Sequence, residues 1–216
     1  YAYPQATQQM LDDVFFNAEA FITGECAITF DEMEGAAFTT GDGTKKPKGF
    51  LSYTTAATAD SSRAFGTLQH VASGAAADWA ASNPQDKLMD LVYSLKAGFR
   101  ANARFVMNKG ILGEIRKFKA TDGNYIWRPG LEAGQPDTLL GYGITEAEDM
   151  PAKAANALAI AFGDFGRGYL IVDRIGTQTL RDPYTNKPYV GFYVRKRVGG
   201  CVVDSEAIKL FKFAAA

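Results

Sequence analysis

The chain is poor in the side chains that most often carry chemistry. One histidine, His70, and two cysteines, Cys26 and Cys201, are spread over 216 residues. With so few thiol and imidazole ligands no Cys/His zinc cluster can be assembled, and two scattered cysteines make no disulfide framework. They are expected as two buried thiols of a reducing compartment. No apolar run reaches the roughly 18 residues of a membrane-spanning helix, and no secretory signal pattern is present. The chain opens on Tyr1 rather than Met, as a processed or truncated product would. Positive charge is absent from Tyr1 to Thr44, which holds eight acids (Asp12, Asp13, Glu19, Glu25, Asp31, Glu32, Glu34, Asp42) and neither Lys nor Arg. The whole chain is −1, so the other residues together carry +7. A net charge this small gives no general affinity for polyanions. The separation within it lets an acidic segment meet a basic one, Lys187, Arg195, Lys196, Arg197, Lys209 and Lys212, within one subunit or between neighbours.

Catalytic patterns are missing as well. His70 lies in an Ala/Ser-rich stretch with no nucleophile signature near it, and reads as structural. Gly41-Asp42-Gly43-Thr44-Lys45 lacks the spacing of a phosphate loop and follows a helix instead of opening one. Asp164-Phe165-Gly166 has the letters of a kinase motif without the rest of the set and reads as a turn between strands. Glu146, Glu148 and Asp149 form an acidic loop beside Pro151. The many Phe and Tyr residues are not interleaved with Lys and Arg on one surface, so stacking on nucleic acid is unsupported. No enzyme, cofactor or metal is expected.

What is present is mostly architecture. With 47% hydrophobic and 22% charged residues, the composition is that of a globular protein. Phe15, Ala18, Ile22, Cys26, Phe30, Met33 and Ala37 recur at the period of one helix face. A helix over residues 17–40 would be about 36 Å long. Gly24 and Gly35 each weaken it by about 1 kcal/mol and invite a kink. Gly41-Asp42-Gly43 is expected to stop it, glycine taking the left-handed cap. Residues 67–71 read as a strand, and Asn83-Pro84 as the cap and first turn of a helix with the row Leu88, Leu91, Val92, Leu95 and Phe99. Arg104 to Met107 is a short buried strand, and Asn108 caps a helix with Ile111, Leu112, Ile115 and Phe118. After the turn Asp122-Gly123 come strands at Tyr125–Trp127, Thr138–Thr145 and Ala157–Phe162, the last continuously apolar. A long hairpin follows, Tyr169–Arg181 against Tyr189–Val198, broken at Gly199-Gly200, and residues 201–203 and 207–213 close the chain as strand. Helices and strands alternate irregularly, so the fold class is α+β.

The segment Glu34, Ala37, Phe38, Gly41, Asp42, Gly43, Thr44, Pro47, Gly49 and Phe50, closing a long acidic helix, resembles the major capsid protein of tailed bacteriophages, the Hong Kong 97-type shell fold. Further family-like phrases run in order: Arg104–Asn108, Ile115–Lys119, Asp122–Trp127, Leu140–Tyr142 with Glu146–Pro151, Ala161–Phe165, Asp173-Arg174, Arg181–Asn186 and Ala207–Leu210. The resemblance implies a peripheral domain, residues 1–82 and 169–203, with the spine helix and the hairpin. It implies an axial domain from residues 83–168 and 204–216. Family members carry an N-terminal arm and an extended loop before the spine helix, and this chain is expected to lack both and so to assemble poorly alone.

The implied function is structural: a subunit of a phage or prophage head that forms hexamers and pentamers with copies of itself. Scaffold or maturation protease and packaged double-stranded DNA, bound without sequence recognition, are its implied partners. It would be a virion protein assembled in the bacterial cytoplasm. The alternatives are an encapsulin-like compartment shell and, less well supported, a soluble enzyme. Interface candidates are Glu25 and Glu32 on the helix, Asp149 and Met150 in the loop 149–156 expected at five-fold and six-fold axes, and Arg181, Asp182 and Asn186 at the hairpin tip expected near three-fold contacts. Some members cross-link a Lys to an Asn with a catalytic Glu. Residues 188–197 hold neither Asn nor Glu, so cross-linking is not expected.

Overall fold

The computed structural model describes residues 1–13, 17–119 and 138–215. The first elements are β1 (Gln5–Thr7), α1 (Gln8–Asp13), α2 (Ala18–Thr40), a 3-10 turn at Phe50–Ser52, β2 (Thr55–Ala56), β3 (Leu68–Ala72), β4 (Gly74–Ala75) and β5 (Asp78–Trp79). Next come α3 (Pro84–Ser94), α4 (Ala97–Arg100), β6 (Arg104–Met107), α5 (Lys109–Arg116), β7 (Thr138–Leu139), β8 (Tyr142–Glu146) and β9 (Leu158–Gly163). The chain closes with α6 (Phe165–Gly168), β10 (Tyr169–Asp182), β11 (Tyr189–Val202) and β12 (Ile208–Lys212). Two compact units result. One is Tyr1–Gly49 with Ile171–Cys201, the other Phe50–Leu170 with Val202–Ala216. Phe15 of the helix reading, the turn reading at Asp122-Gly123 and the strand reading at 125–127 lie outside the described residues.

In the first unit α2 runs unbroken through Gly24 and Gly35. Asn17 caps it, its side-chain oxygen accepting from the Ala20 amide at 3.0 Å, which satisfies one otherwise orphaned donor. Thr23, Thr29, Thr39 and Thr40 donate their hydroxyls to carbonyls one turn back, at 2.8 to 3.0 Å, so these β-branched residues sit in the helix with their polar atoms paired. The end of α2 differs from the expected left-handed cap. Gly41 has φ −57°, and its bareness serves close approach instead. A Cβ there would lie 2.3 Å from the Pro47 carbonyl oxygen, and one at Gly49 would lie 2.5 Å from the Thr39 carbonyl. The Gly49 amide donates to the Gly41 carbonyl at 2.9 Å, so residues 41–49 fold back onto the helix end.

The sheet of this unit has the order β1-β11-β10, with β1 antiparallel to β11 and Ala6 opposite Val190. Alternate residues of β11, Val190, Phe192 and Val194, are at most 2% exposed, as period-two patterning requires. Val194 packs with Cys26 and Phe30 of α2, and Ala2 and Ile22 lie against them. Met33, placed in the same row by spacing, is 65% exposed. It lies on the sheet-facing side but lines an open groove with Tyr1, Phe30, Glu34 and Lys196–Val198. Gly199-Gly200 does not break β11. The Gly200 carbonyl accepts from the Lys48 amide at 2.9 Å.

The second unit is built on a mixed seven-stranded sheet, β2-β3-β12-β9-β6-β8-β7. β12 is central, parallel to β3 and antiparallel to β9. Residues 50–82, expected with the first domain, belong here because β3 takes its hydrogen bonds from β12 and buries Leu68 completely. The apolar rows of α3 and α5 cover Phe105, Phe162, Phe211 and Phe213. Three local features differ from expectation. Residues 138–145 are not one strand but a hairpin, turned by Leu140 (φ 53°) and Gly141 (φ 84°), the positive pair that a two-residue hairpin requires. Asn83 precedes α3 with φ 46° and makes no side-chain cap. Its left-handed backbone, which asparagine tolerates, starts the helix instead. Asp164 opens the short α6 where a plain turn was expected, accepting from the Arg167 amide.

Lys209 of β12 is fully buried. Its ammonium pairs with the Asp60 carboxylate, which also receives the Arg63 guanidinium at 2.6 Å. Arg63 further donates to the Thr67 carbonyl at 2.7 Å. The Arg63 guanidinium is a second buried cation on this carboxylate, so the site needs the Asp60 anion. Burial alone would raise the Asp60 carboxyl, but the hydrogen bonds and charges of Lys209 and Arg63 outweigh it and hold it below the ordinary carboxylate value. The stabilisation is therefore present above the unfolded carboxylate range and is lost as pH falls through the lower folded value. Asp60→Ala strands two buried cations and is expected to cost about 3–5 kcal/mol in urea denaturation at pH 7, with a smaller difference from the parent in strong acid. A cost below about 1 kcal/mol would place the charge cluster in water.

Candidate assembly surfaces

Buried Cys26 and Phe30 fix which side of α2 meets the sheet. The opposite side carries Phe21, Glu25, Ile28 and Glu32, spaced four, three and four residues apart and therefore on one face. All four are exposed, with Phe21 and Ile28 at 55%. The acids of α2 thus divide by position. Glu34 and Asp31 point to the basic strand. Lys196 of β11 lies 2.8 Å from Glu34 and 3.6 Å from Asp31, and the Lys196 and Glu34 side chains are each only 18% exposed. Glu25 and Glu32 have no ion-pair partner among the described residues. The complementarity of acidic helix and basic strand is met inside the chain by the first pair and left open by the second.

The long hairpin is anchored at its tip by Asp182, which accepts from the amides of Tyr184 (3.0 Å) and Thr185 (3.2 Å) and from the Thr185 hydroxyl. These hydrogen bonds, the Thr185 hydroxyl foremost, hold its carboxyl below the usual value. Asn186 donates to the Gln5 side chain at 3.2 Å, which ties the tip to β1. Arg181 is exposed, and Tyr184 is 82% exposed. β10, the hairpin's outer strand, buries no residue between Ile171 and Asp182. Ile171, Val172 and Leu180 are each more than half exposed.

Of the loop candidates, Asp149 is exposed. Met150 is 2% exposed and packs among Phe50, Leu68, Ala161, Ile208 and Leu210. Its side chain is core because Asn108, the cap of α5, donates to the Met150 carbonyl and holds the loop down. His70 sits half-buried on β3, where burial and then Lys212 push its pKa down. Cys26 is buried, but Cys201, expected buried, is exposed, and both are free thiols. Among the described residues no group of three or more His, Cys, Asp or Glu is arranged to hold a metal. Spacing missed β10 as a surface because its apolar residues read like any half-buried strand.

The family model of the phage capsid family matches residues 1–213. No curated protein matches by sequence. Among solved structures, the capsid of an empty GTA particle is 52% identical at a TM-score of 0.92, over 99% of this chain and 72% of that one. The capsid of the native GTA particle gives the same identity and TM-score over 99% and 71%. The SrpI encapsulin of Synechococcus elongatus PCC 7942 is 13% identical at a TM-score of 0.66, over 98% and 71%. A Gordonia phage Cozz chain is 14% identical at 0.60, over 100% and 69%. The last two share the fold.

The hydrogen bond from Lys196 to Glu34, helped by the nearby Glu34 and Asp31 charges and opposed by burial, holds the lysine above its ordinary pKa. That stabilisation is complete below the unfolded lysine value and is lost as pH rises through the raised folded one. Glu34→Gln is expected to cost about 1 kcal/mol at neutral pH. Denaturation midpoints of variant and parent should converge in strong alkali, and a gap that stays constant would assign the loss to packing.

Proposed function

The chain belongs to the phage capsid family, and on that footing we propose that it builds the icosahedral head of a phage-like particle, copies assembling into capsomers and capsomers into a shell around double-stranded DNA. The observation that carries the reading is a half-identical sequence running the length of the chain on a closely superimposing capsid fold. A scaffold or maturation protease and packaged DNA complete the partner set, the DNA held without sequence recognition. Assembly takes place in the bacterial cytoplasm. The unit of Tyr1–Gly49 with Ile171–Cys201 serves as the peripheral domain and the other as the axial domain. The role is structural rather than enzymatic. The encapsulin reading has support from fold alone.

Assembly contacts in this reading fall on exposed groups without an ion-pair partner among the described residues. Glu25 and Glu32 are such groups, and Asp149 and Arg181 are further candidates, whereas Asp182 and Asn186 first shape the hairpin tip. Many weak contacts with complementary charge give a shell specificity without locking single subunits together.

Electron microscopy of the full-length protein, expressed alone and with its scaffold, is expected to show capsomers or shells, and failure under both conditions would overturn the reading. Particles filled with DNA support a head, while particles filled with protein cargo support the compartment. Glu25→Lys and Glu32→Lys, at exposed sites, are expected to change subunit stability by no more than about 0.5 kcal/mol while lowering the yield of shells. A matching loss of thermal stability in the isolated subunit would assign them to folding instead.

A further inference from the structure

β10 is in water on more sides than a 14-residue strand normally tolerates. Its sheet order is β1-β11-β10, so one edge pairs with β11 and the other is free among the described residues. From Ile171 to Leu180 it is exposed on both faces, apart from an intermediate Ile175. It carries Ile171, Val172 and Leu180 more than half exposed. Its charges are arranged as a palindrome, Asp173-Arg174 near one end and Arg181-Asp182 at the other. Asp173 and Arg181 make no ion pair among the described residues.

We propose that β10 is a seam between two copies of this chain, paired antiparallel about a two-fold axis at Thr177, with Asp173 of each copy opposite Arg181 of the other. A two-fold contact uses the same patch twice, so the sequence must complement itself. In this register it does. Asp173 faces Arg181, Arg174 faces Leu180, Ile175 faces Thr179, Gly176 faces Gln178, and Thr177 faces its own copy. Opposite charges and β-branched pairs are the favoured cross-strand neighbours. Gly176 has open space around it, which leaves room for Gln178, already held by Arg195 at 2.8 Å. A slip of one residue toward the tip sets Asp173 against Asp182 and Arg174 against Arg181, like charges twice over. A slip of two sets Arg174 against Asp182, whose carboxylate is occupied by the turn. Slips of one to six residues the other way leave Asp173 without a cation opposite. The register at Thr177 is the one that satisfies both charges.

The contact rests on the shell reading, since it is expected in the assembled particle. The test uses shells of the full-length protein carrying Cys201→Ser, which removes the exposed native thiol. A disulfide needs Cα atoms within about 7 Å, so after mild diamide oxidation Thr177→Cys is expected to give at least about tenfold more covalent dimer than Ile171→Cys, whose copies would lie far apart. Adding Arg181→Asp should lower that yield, and adding Asp173→Arg as well should restore it. Equal yields at 177 and 171, or a yield indifferent to the charge changes, would overturn the seam and leave the shell function intact. Hydrogen exchange on unsubstituted shells gives a second readout. Amides of 171–181 should exchange more slowly in shells than in free subunits, and unchanged exchange would overturn the pairing. Absence of any shell would overturn both readings.

Discussion

Among the described residues, a helix of 23 residues meets a three-stranded sheet through a small buried cluster. The cluster joining them is Cys26, Phe30 and Val194, with Ala2 and Ile22 at its margin. Two thin layers cannot bury both sides of either one. This constraint governs the rest of the first unit. It leaves Phe21 and Ile28 in water on the far side of α2 and Ile171, Val172 and Leu180 in water along β10. It also explains why polar devices do work that a core does elsewhere: the Lys196 bridge to Glu34, the capping Asn17, and the glycine-lined loop 41–49 closing on the helix end. Exposed apolar groups beside unpaired charges are what a subunit keeps when part of its stability comes from neighbours.

The second unit answers the same problem differently. Its sheet is wide, and α3 and α5 bury rows of Leu and Ile against four phenylalanines. Trp79 is held among Phe118, Phe211 and Phe213, ring centroids 5.0 to 5.4 Å apart, and donates its indole N–H to Glu114 at 2.7 Å. A core of this size can enclose a full charge. Lys209 sits inside it because Asp60 and Arg63, from the loop before β3, close over the ammonium. That pair also explains why residues 50–82 join this unit, since both the strand and the buried anion answer to β12.

Local chemistry was legible wherever one residue decides the outcome. Asn108 caps α5, the apolar run 158–162 is the buried strand β9, and the period of residues 18–30 set the buried side of α2. Other features depend on partners that no window contains. Met33 obeys the helix period yet is exposed, because it borders an open groove between the helix and Lys196–Val198 of β11 instead of a packed cluster. Lys209 looks like a basic residue in a tail until Asp60, far away in sequence, reaches it. Gly41 carries the letter of a left-handed cap, but its need is for space beside Pro47. Leu140 gives no turn signal, and its positive φ is imposed by the tight hairpin it shares with Gly141. The assembly surfaces were the least legible. Glu25 and Glu34 are indistinguishable as letters on an acidic helix, and only the position of Lys196 separates the paired acid from the open one.

The charge separation along the chain is thus used twice. Where α2 lies over β11, acid and base meet at short range, partly shielded from water, and the pair contributes to folding. On the outer side of the helix and along β10, Glu25, Glu32, Asp173 and Arg181 sit beside half-exposed apolar groups and make no ion pair among the described residues. Such surfaces add little to a single subunit, since exposed ion pairs are each worth about 0–1 kcal/mol. Repeated over every copy of a closed shell, small terms add, and each remains weak enough to break when a subunit docks in the wrong register. A thin unit rimmed by self-complementary charge therefore suits ordered assembly better than a thicker one would. Burying those residues within the subunit would raise its own stability and erase the pattern by which copies recognise each other.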